Sequence, residues 1–198
     1  MIKFNNLSQE KPYIKLKKKY DEAEKANQQN IEAISISSYS TASKEVNSRY
    51  VNLKFVEGKE LIFFSNYNSL KSKDFHGHNQ ITALLYWNNV STQIRMKALV
   101  KKTSEDYNKN YFLNRSVQKN AVAISSRQSE PIDSFERVKE NYNKSLKLDC
   151  LKKCPDYWGG YSFVPYYFEF WEGSDLRLNK RDIYKNNKGV WSHTILQP

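Results

Sequence analysis

RYVNLKFVEGKELIFFSN, residues 49–66, holds two short runs dominated by β-branched and aromatic side chains, RYVNLKFV (49–56) and ELIFFSN (60–66), with turn residues between them. Such side chains pack well on a pleated surface and crowd a helix, so both runs read as strands. Three more runs of the same kind surround the pair: IEAISISSY (31–39) before it, QITALLYW (80–87) and TQIRMKALV (92–100) after it. Five strands in succession are therefore expected.

Helical patterns interrupt and flank these strands. PYIKLKKKYDEAEKA (12–26) opens on proline and places Tyr13, Leu16, Tyr20 and Ala23 at steps of three and four, the stripe of an amphipathic helix with a basic outer face. SLKSKDF (69–75) is short, with Ser69 placed to cap it and Lys71 in its first turn. TSEDYNKNYFLNR (103–115) has Thr103 and Asp106 at capping-box spacing, with Tyr107 and Tyr111 sharing a face. DSFERVKENYNKSLKL (133–148) has Asp133 as a cap and Phe135, Val138, Tyr142 and Leu146 along one side. Strands return at FVPYYFEFWEG (163–173), DLRLNKRDIY (175–184) and VWSHTIL (190–196). Many strands with few βαβ alternations point to an α+β domain built on an antiparallel barrel.

At 198 residues the chain fits one domain, and an aromatic content of 14% is too high for a disordered one. Lys and Arg exceed Asp and Glu by 32 to 21, which raises nucleic acid, a membrane surface or a phosphorylated small molecule as a partner without choosing between them, and the lysine-rich stretches KLKKKY (15–20) and YKNNKG (184–189) read as solvated faces. Nucleic acid is disfavoured as that partner, because no recognised nucleic-acid motif accompanies the charge and most aromatics fall inside predicted strands or helices. No signal peptide and no apolar run near the ~18 residues of a membrane helix is visible, which makes a cytoplasmic protein the expectation. Cys150 and Cys154 lack a second ligand pair, and the pair His76 and His78 lacks a third ligand, so no metal is expected.

Seven islands, SRYVNLK (48–54), FFSNYNSLKS (63–72), TQIRMKA (92–98), YFLNR (111–115), SSRQS (125–129), WGGY (158–161) and EFWEG…RLNKR (169–181), occur in the order and approximate spacing of the pyridoxamine 5'-phosphate oxidase family. The chain resembles that family from about Pro12 to its final ILQP. The resemblance implies one FMN-binding split β-barrel domain over 1–198, antiparallel and Greek-key-like with flanking helices. It also implies a homodimer with two FMN sites at the subunit interface, each lined by both chains. The implied reaction oxidises a phosphorylated B6 vitamer, pyridoxine or pyridoxamine 5'-phosphate, to pyridoxal 5'-phosphate, with molecular oxygen as acceptor and hydrogen peroxide released.

Carried over position by position, the resemblance implies flavin contacts at Arg49, Tyr50, Val51, Lys54, Phe64, Ser65, Lys71, Gln93, Gln128, Ser129, Trp171 and Arg181. Arg49 and Lys71 would hold the phosphate. Lys54, Tyr111 and Arg115 match the family's substrate-phosphate clamp, and Arg177 matches its substrate-covering arginine. Positions 177, 179 and 181 would share one face if they lie on a strand. Arg49 and Lys54 differ in strand parity, so a bulge, twist or strand end must intervene if both touch one ligand.

The chain also departs from the family pattern. Asn179 stands where the family has a histidine, Lys180 where it has an acid, Lys119 where it has the clamp's serine, and Leu70 where it has a second basic residue. Asn179 can hydrogen-bond but cannot titrate near neutrality. The family's arginine- and tyrosine-bearing lid segment has no counterpart in residues 1–11, which are expected to be flexible. Arg177 and Asn179 are the expected catalytic pair. Two alternatives stay open: a flavoprotein of this architecture with another small-molecule substrate, and a non-catalytic binder of flavin or pyridoxal phosphate.

Overall fold

Strands form where the β-branched and aromatic runs lie, and their edges close on one another. The computed structural model describes residues 1–198. β2 (Ala33–Ser40), β3 (Glu45–Glu57), β4 (Glu60–Asn66), β5 (Gln80–Trp87), β6 (Thr92–Lys102) and β7 (Trp158–Glu172) are its long strands. They pair in the circular order β3–β2–β5–β6–β7–β4 and back to β3, every pair antiparallel, which makes a closed six-stranded barrel. Buried residues alternate along β5 and β6, so one face fills the interior. Ile34, Ile36, Leu53, Phe63, Ile94 and Phe168 meet there, each fully buried. The second half of β7 runs past the barrel and carries β8 (Lys180–Asn187), which in turn pairs with β9 (Val190–Leu196).

The helix read from the proline and the apolar stripe is α1 (Lys11–Lys25), and Tyr13, Leu16, Tyr20 and Ala23 are all buried as the stripe requires. At about 1.5–3 kcal/mol for each large apolar side chain removed from water, this face is enough to dock the helix. Tyr13 meets Phe168 edge-on at 5.2 Å and Tyr20 meets Trp87 at 6.1 Å. No helix is long and apolar enough to cross a membrane.

Asp182 on β8 pins α1 to the C-terminal sheet. It is buried and receives Lys15 from α1, with His193 Nε2 at 2.9 Å and Lys180 Nζ at 3.3 Å. Burial alone would raise its pKa, but the hydrogen bonds from Lys15 and His193 hold it down at about 2. A carboxyl depressed in this way adds stability at pH values above its unfolded pKa near 4 and loses it as the pH falls through about 2. D182N should therefore unfold about 2 kcal/mol more easily than wild type at pH 7. In urea melts repeated at lower pH the gap should shrink between about pH 4 and pH 2; a constant gap would mean that the loss is one of packing.

Several local expectations are corrected. Residues 1–11 are not a loose end: β1 (Lys3–Asn5) lies parallel to β3, and Ile2 is buried in the core. Ser69 occupies the N-cap of α2 (Leu70–Gly77), yet its hydroxyl donates to Asn66 O at 2.8 Å and makes no cap bond. Ser104, not Thr103, caps α3 (Glu105–Leu113), because the Thr103 hydroxyl is already spent on Asn108 Oδ1 at 2.6 Å. Ser134, not Asp133, caps α5 (Phe135–Ser145). The apolar side of α5 does not enter the core; Phe135, Val138 and Leu146 are exposed, and the helix rests against α4 (Val117–Ser125), an element that the apolar spacing did not suggest.

Candidate active site

β3 pairs with β2 along residues 45–52, while its other edge meets β4 only from Leu53 onward. The free edge of 45–52 borders an open cleft of about 940 Å³, and this is why consecutive residues Arg49, Tyr50 and Val51 all line it. The β3–β4 register shifts between Leu53 and Phe55, leaving Lys54 as the extra residue of a bulge. That bulge removes the parity conflict, and Lys54 lines the same cleft as Arg49.

At one end of the cleft Lys71, 6% exposed in the first turn of α2, donates to Ser65 Oγ at 2.8 Å and to Ser69 Oγ at 3.0 Å. It has no carboxylate partner. Burial, and then the positive charge of Arg49, push its pKa down to about 8. Arg49 is itself oriented by Ser38 Oγ at 2.7 Å and Ile36 O at 3.1 Å, with Asp74 at 3.5 Å. A buried amine held only by hydroxyls, beside a second cation, is a seat for an anion.

The other end carries Lys54, Tyr111, Arg115 and Lys119. Burial lowers the pKa of Lys54; Glu32, 3.9 Å away, opposes this, and the charges of Lys119 and Arg115 add to it. Lys54 therefore senses both of the other cations. Arg115 lies over the Trp158 ring at 4.4 Å and donates to Asn120 Oδ1 at 3.2 Å. Asn120 is fully buried and its amide donates to Phe112 O and Leu151 O, which ties α4 to the end of α3 and to the turn at Leu151. Tyr111 stacks on Phe64 at 3.7 Å, and Trp158 lies 5.2 Å from the other partner of that stack, Phe64, nearly parallel to it. α3 approaches β7 closely because Gly159 and Gly160 follow Trp158: a Cβ on Gly159 would come within 2.4 Å of Asn108 Nδ2 on α3. Burial raises the Tyr111 pKa, so its phenol stays a donor at neutral pH.

Twelve of the expected site residues thus share the cleft: Arg49, Tyr50, Val51, Lys54, Phe64, Ser65, Lys71, Tyr111, Arg115, Lys119, Gln128 and Ser129. Five of its lining residues are Lys or Arg and none is Asp or Glu. The remaining expected residues lie elsewhere on the chain. Trp171, Arg177 and Asn179 line a second cavity of about 450 Å³ with Tyr86 and Ser91. Gln93 and Arg181 line neither cavity, but pair in register with Trp171 from its two sides.

The expected alignment of 177, 179 and 181 along one strand is also corrected. β8 starts only at Lys180, and Arg177 adopts φ 57° in a turn closed by its own N–H to Ser174 O. Asn179 Oδ1 accepts from Ser174 N at 3.2 Å, so the amide between the two arginines ties the turn that presents Arg177. Trp158 and Asn120 were missed as site residues. Trp158 lies within the WGGY island without a role of its own there, and Asn120 carries no local signal; its role rests on its three partners, Arg115, Phe112 O and Leu151 O.

The region described as the pyridoxine 5'-phosphate oxidase C-terminal dimerisation region matches residues 158–198. A pyridoxine/pyridoxamine 5'-phosphate oxidase of Vesicomyosocius okutanii subsp. Calyptogena okutanii is 33% identical over 187 residues, spanning 90% of this chain and 84% of the relative. Among solved structures, PhzG from Burkholderia lata 383 in complex with tetrahydrophenazine-1-carboxylic acid is 25% identical with a TM-score of 0.89, covering 94% of this chain and 92% of that one. A pyridoxamine 5'-phosphate oxidase-related, FMN binding protein from Nostoc punctiforme PCC 73102 shares the fold at 11% identity, with a TM-score of 0.79 and coverage of 96% and 99%.

Proposed function

This chain belongs to the pyridoxine/pyridoxamine 5'-phosphate oxidase family of FMN-dependent oxidoreductases, and on that premise we propose that it binds FMN and oxidises pyridoxine or pyridoxamine 5'-phosphate to pyridoxal 5'-phosphate. The observation that carries the reading is the cleft with five cations, no lining carboxylate, and two separate cationic ends. Two phosphates in one site, one from cofactor and one from substrate, match that arrangement.

In this reading Arg49, Lys71 and Ser65 hold the FMN phosphate, while Lys54, Tyr111, Arg115 and Lys119 hold the substrate phosphate. Tyr50, Val51, Phe64, Gln128 and Ser129 line the space between. Gln93, Trp171 and Arg181, with Arg177 and Asn179, belong to the second half of a site completed by another copy of the chain, in keeping with the dimerisation region that contains four of those five residues. FMN held by these residues would supply a two-electron acceptor for the hydride at the substrate's C4', with molecular oxygen as the terminal acceptor. The protein's part is orientation: clamping the substrate phosphate fixes where C4' lies, and Arg177 on its tied turn covers the ring. Asn179 offers no proton near neutrality, so no proton transfer is assigned to it.

Anaerobic addition of pyridoxamine 5'-phosphate to the FMN-loaded protein should bleach the flavin's visible absorption, and air should restore it with pyridoxal 5'-phosphate formed. A second reading, oxidation of a different anionic small molecule, is favoured by the Lys119 and Asn179 departures and by the likeness to a protein holding a tricyclic carboxylic acid. Persistence of the band with pyridoxamine 5'-phosphate, together with bleaching by such a carboxylic acid, would select it.

A further inference from the structure

Gln93, Trp171 and Arg181 form one row across β6, β7 and β8, and the next row on the same face, two residues along, sets Arg95 opposite Glu169. Glu169 is 3% exposed, and the proposed reaction gives it no task. Its Oε1 accepts from Arg181 Nε at 3.0 Å and Arg181 Nη2 at 2.7 Å. Its Oε2 accepts from both Nε and Nη2 of Arg95, and from the Tyr167 hydroxyl at 3.0 Å. The remaining nitrogen of Arg181 donates to Gln197 O at 3.1 Å.

Every nitrogen of Arg181 is therefore engaged, and its guanidinium is a fixed plane beside Trp171, not a free cation able to swing onto a phosphate. Two guanidinium groups share one carboxylate, so the group as a whole carries one net positive charge. Burying a carboxylate is costly, and an apolar pair at these positions would hold the sheet together without that cost. What an apolar pair lacks is a fixed charge.

We propose that Glu169 is a positioning residue which, with Arg95, makes the Arg95–Glu169–Arg181 triad a single immobilised positive charge tuning the flavin held against the Gln93–Trp171–Arg181 row. The proposal rests on the FMN reading above. A nearby positive charge favours the reduced, more negative flavin and so raises its reduction potential.

Two variants change the charge in opposite directions. Glu169→Gln keeps the shape and takes the triad from one net positive charge to two; Arg95→Leu leaves a neutral Glu169–Arg181 pair. Dye-equilibrated reduction of the FMN-loaded proteins should give a midpoint potential shifted positive in E169Q and negative in R95L. A role confined to holding the strands would move both potentials the same way or neither, and either result overturns the proposal. Should E169Q fail to fold, R95L decides by itself: a negative shift supports the triad and an unmoved potential overturns it. A wild-type protein that retains no FMN would overturn the FMN reading and the triad together, whereas retention with unmoved potentials overturns the triad alone.

Discussion

K71M is expected to weaken FMN retention by about 2–3 kcal/mol, roughly 30- to 150-fold, measured by fluorescence quenching on titration of the apoprotein. Lys71 is almost completely buried and its only partners are Ser65 and Ser69, so a phosphate would be the counter-ion that the amine lacks. Methionine preserves the stem and removes the charge, which separates electrostatics from packing. The wild-type pH profile carries a second signature. With its pKa pushed down to about 8, Lys71 is charged below that pH and progressively neutral above it. Affinity should then fall as pH rises through about 8, approaching tenfold per unit, while K71M stays flat over the same range. Retention by K71M equal to wild type would place the flavin phosphate elsewhere.

At the opposite end of the cleft, R115M should raise KM for pyridoxamine 5'-phosphate by about 2–3 kcal/mol, roughly 100-fold, with FMN retention unchanged. Arg115 is held over Trp158 and by Asn120, so its charge is aimed before any ligand arrives, and little entropy is left to lose on binding. Lys119 is exposed and makes no ion pair, so K119S should cost only a few-fold, on the order of 1 kcal/mol. Equal losses of flavin and substrate binding in R115M would merge the two cationic ends into one site.

Much of this arrangement is legible in the chain. The β-branched and aromatic runs mark the barrel strands, because side-chain alternation and strand propensity act over a few residues. The α1 stripe also holds, residue by residue, since its partners are simply whatever apolar surface lies beneath. At two helices the cap lies one residue beyond the expected one, Ser104 in place of Thr103 and Ser134 in place of Asp133. There, neighbouring side chains of similar cap propensity compete, and a tertiary contact such as Thr103 to Asn108 picks the winner. α4 is not legible in the sequence although Ser116 caps it, because only Asn120 and Ala121 of its nine residues are buried, too few to write an apolar period. β1 has three residues, and its pairing with β3 lies some fifty positions away, beyond any local signal.

The sequence alone determined the strand runs, the docking face of α1 and the excess of cations, which follow from side-chain chemistry read along the chain, and its seven ordered motifs carried the resemblance to the family. The tertiary structure decided where the cations act. The free edge of β3 and its bulge at Lys54 place Arg49 and Lys54 on one cleft, the turn closed by Asn179 takes Arg177 off the strand, and Glu169 engages Arg181. Each of these depends on which groups a folded chain brings within hydrogen-bonding distance, and a bond of that kind between residues far apart leaves no trace in their order.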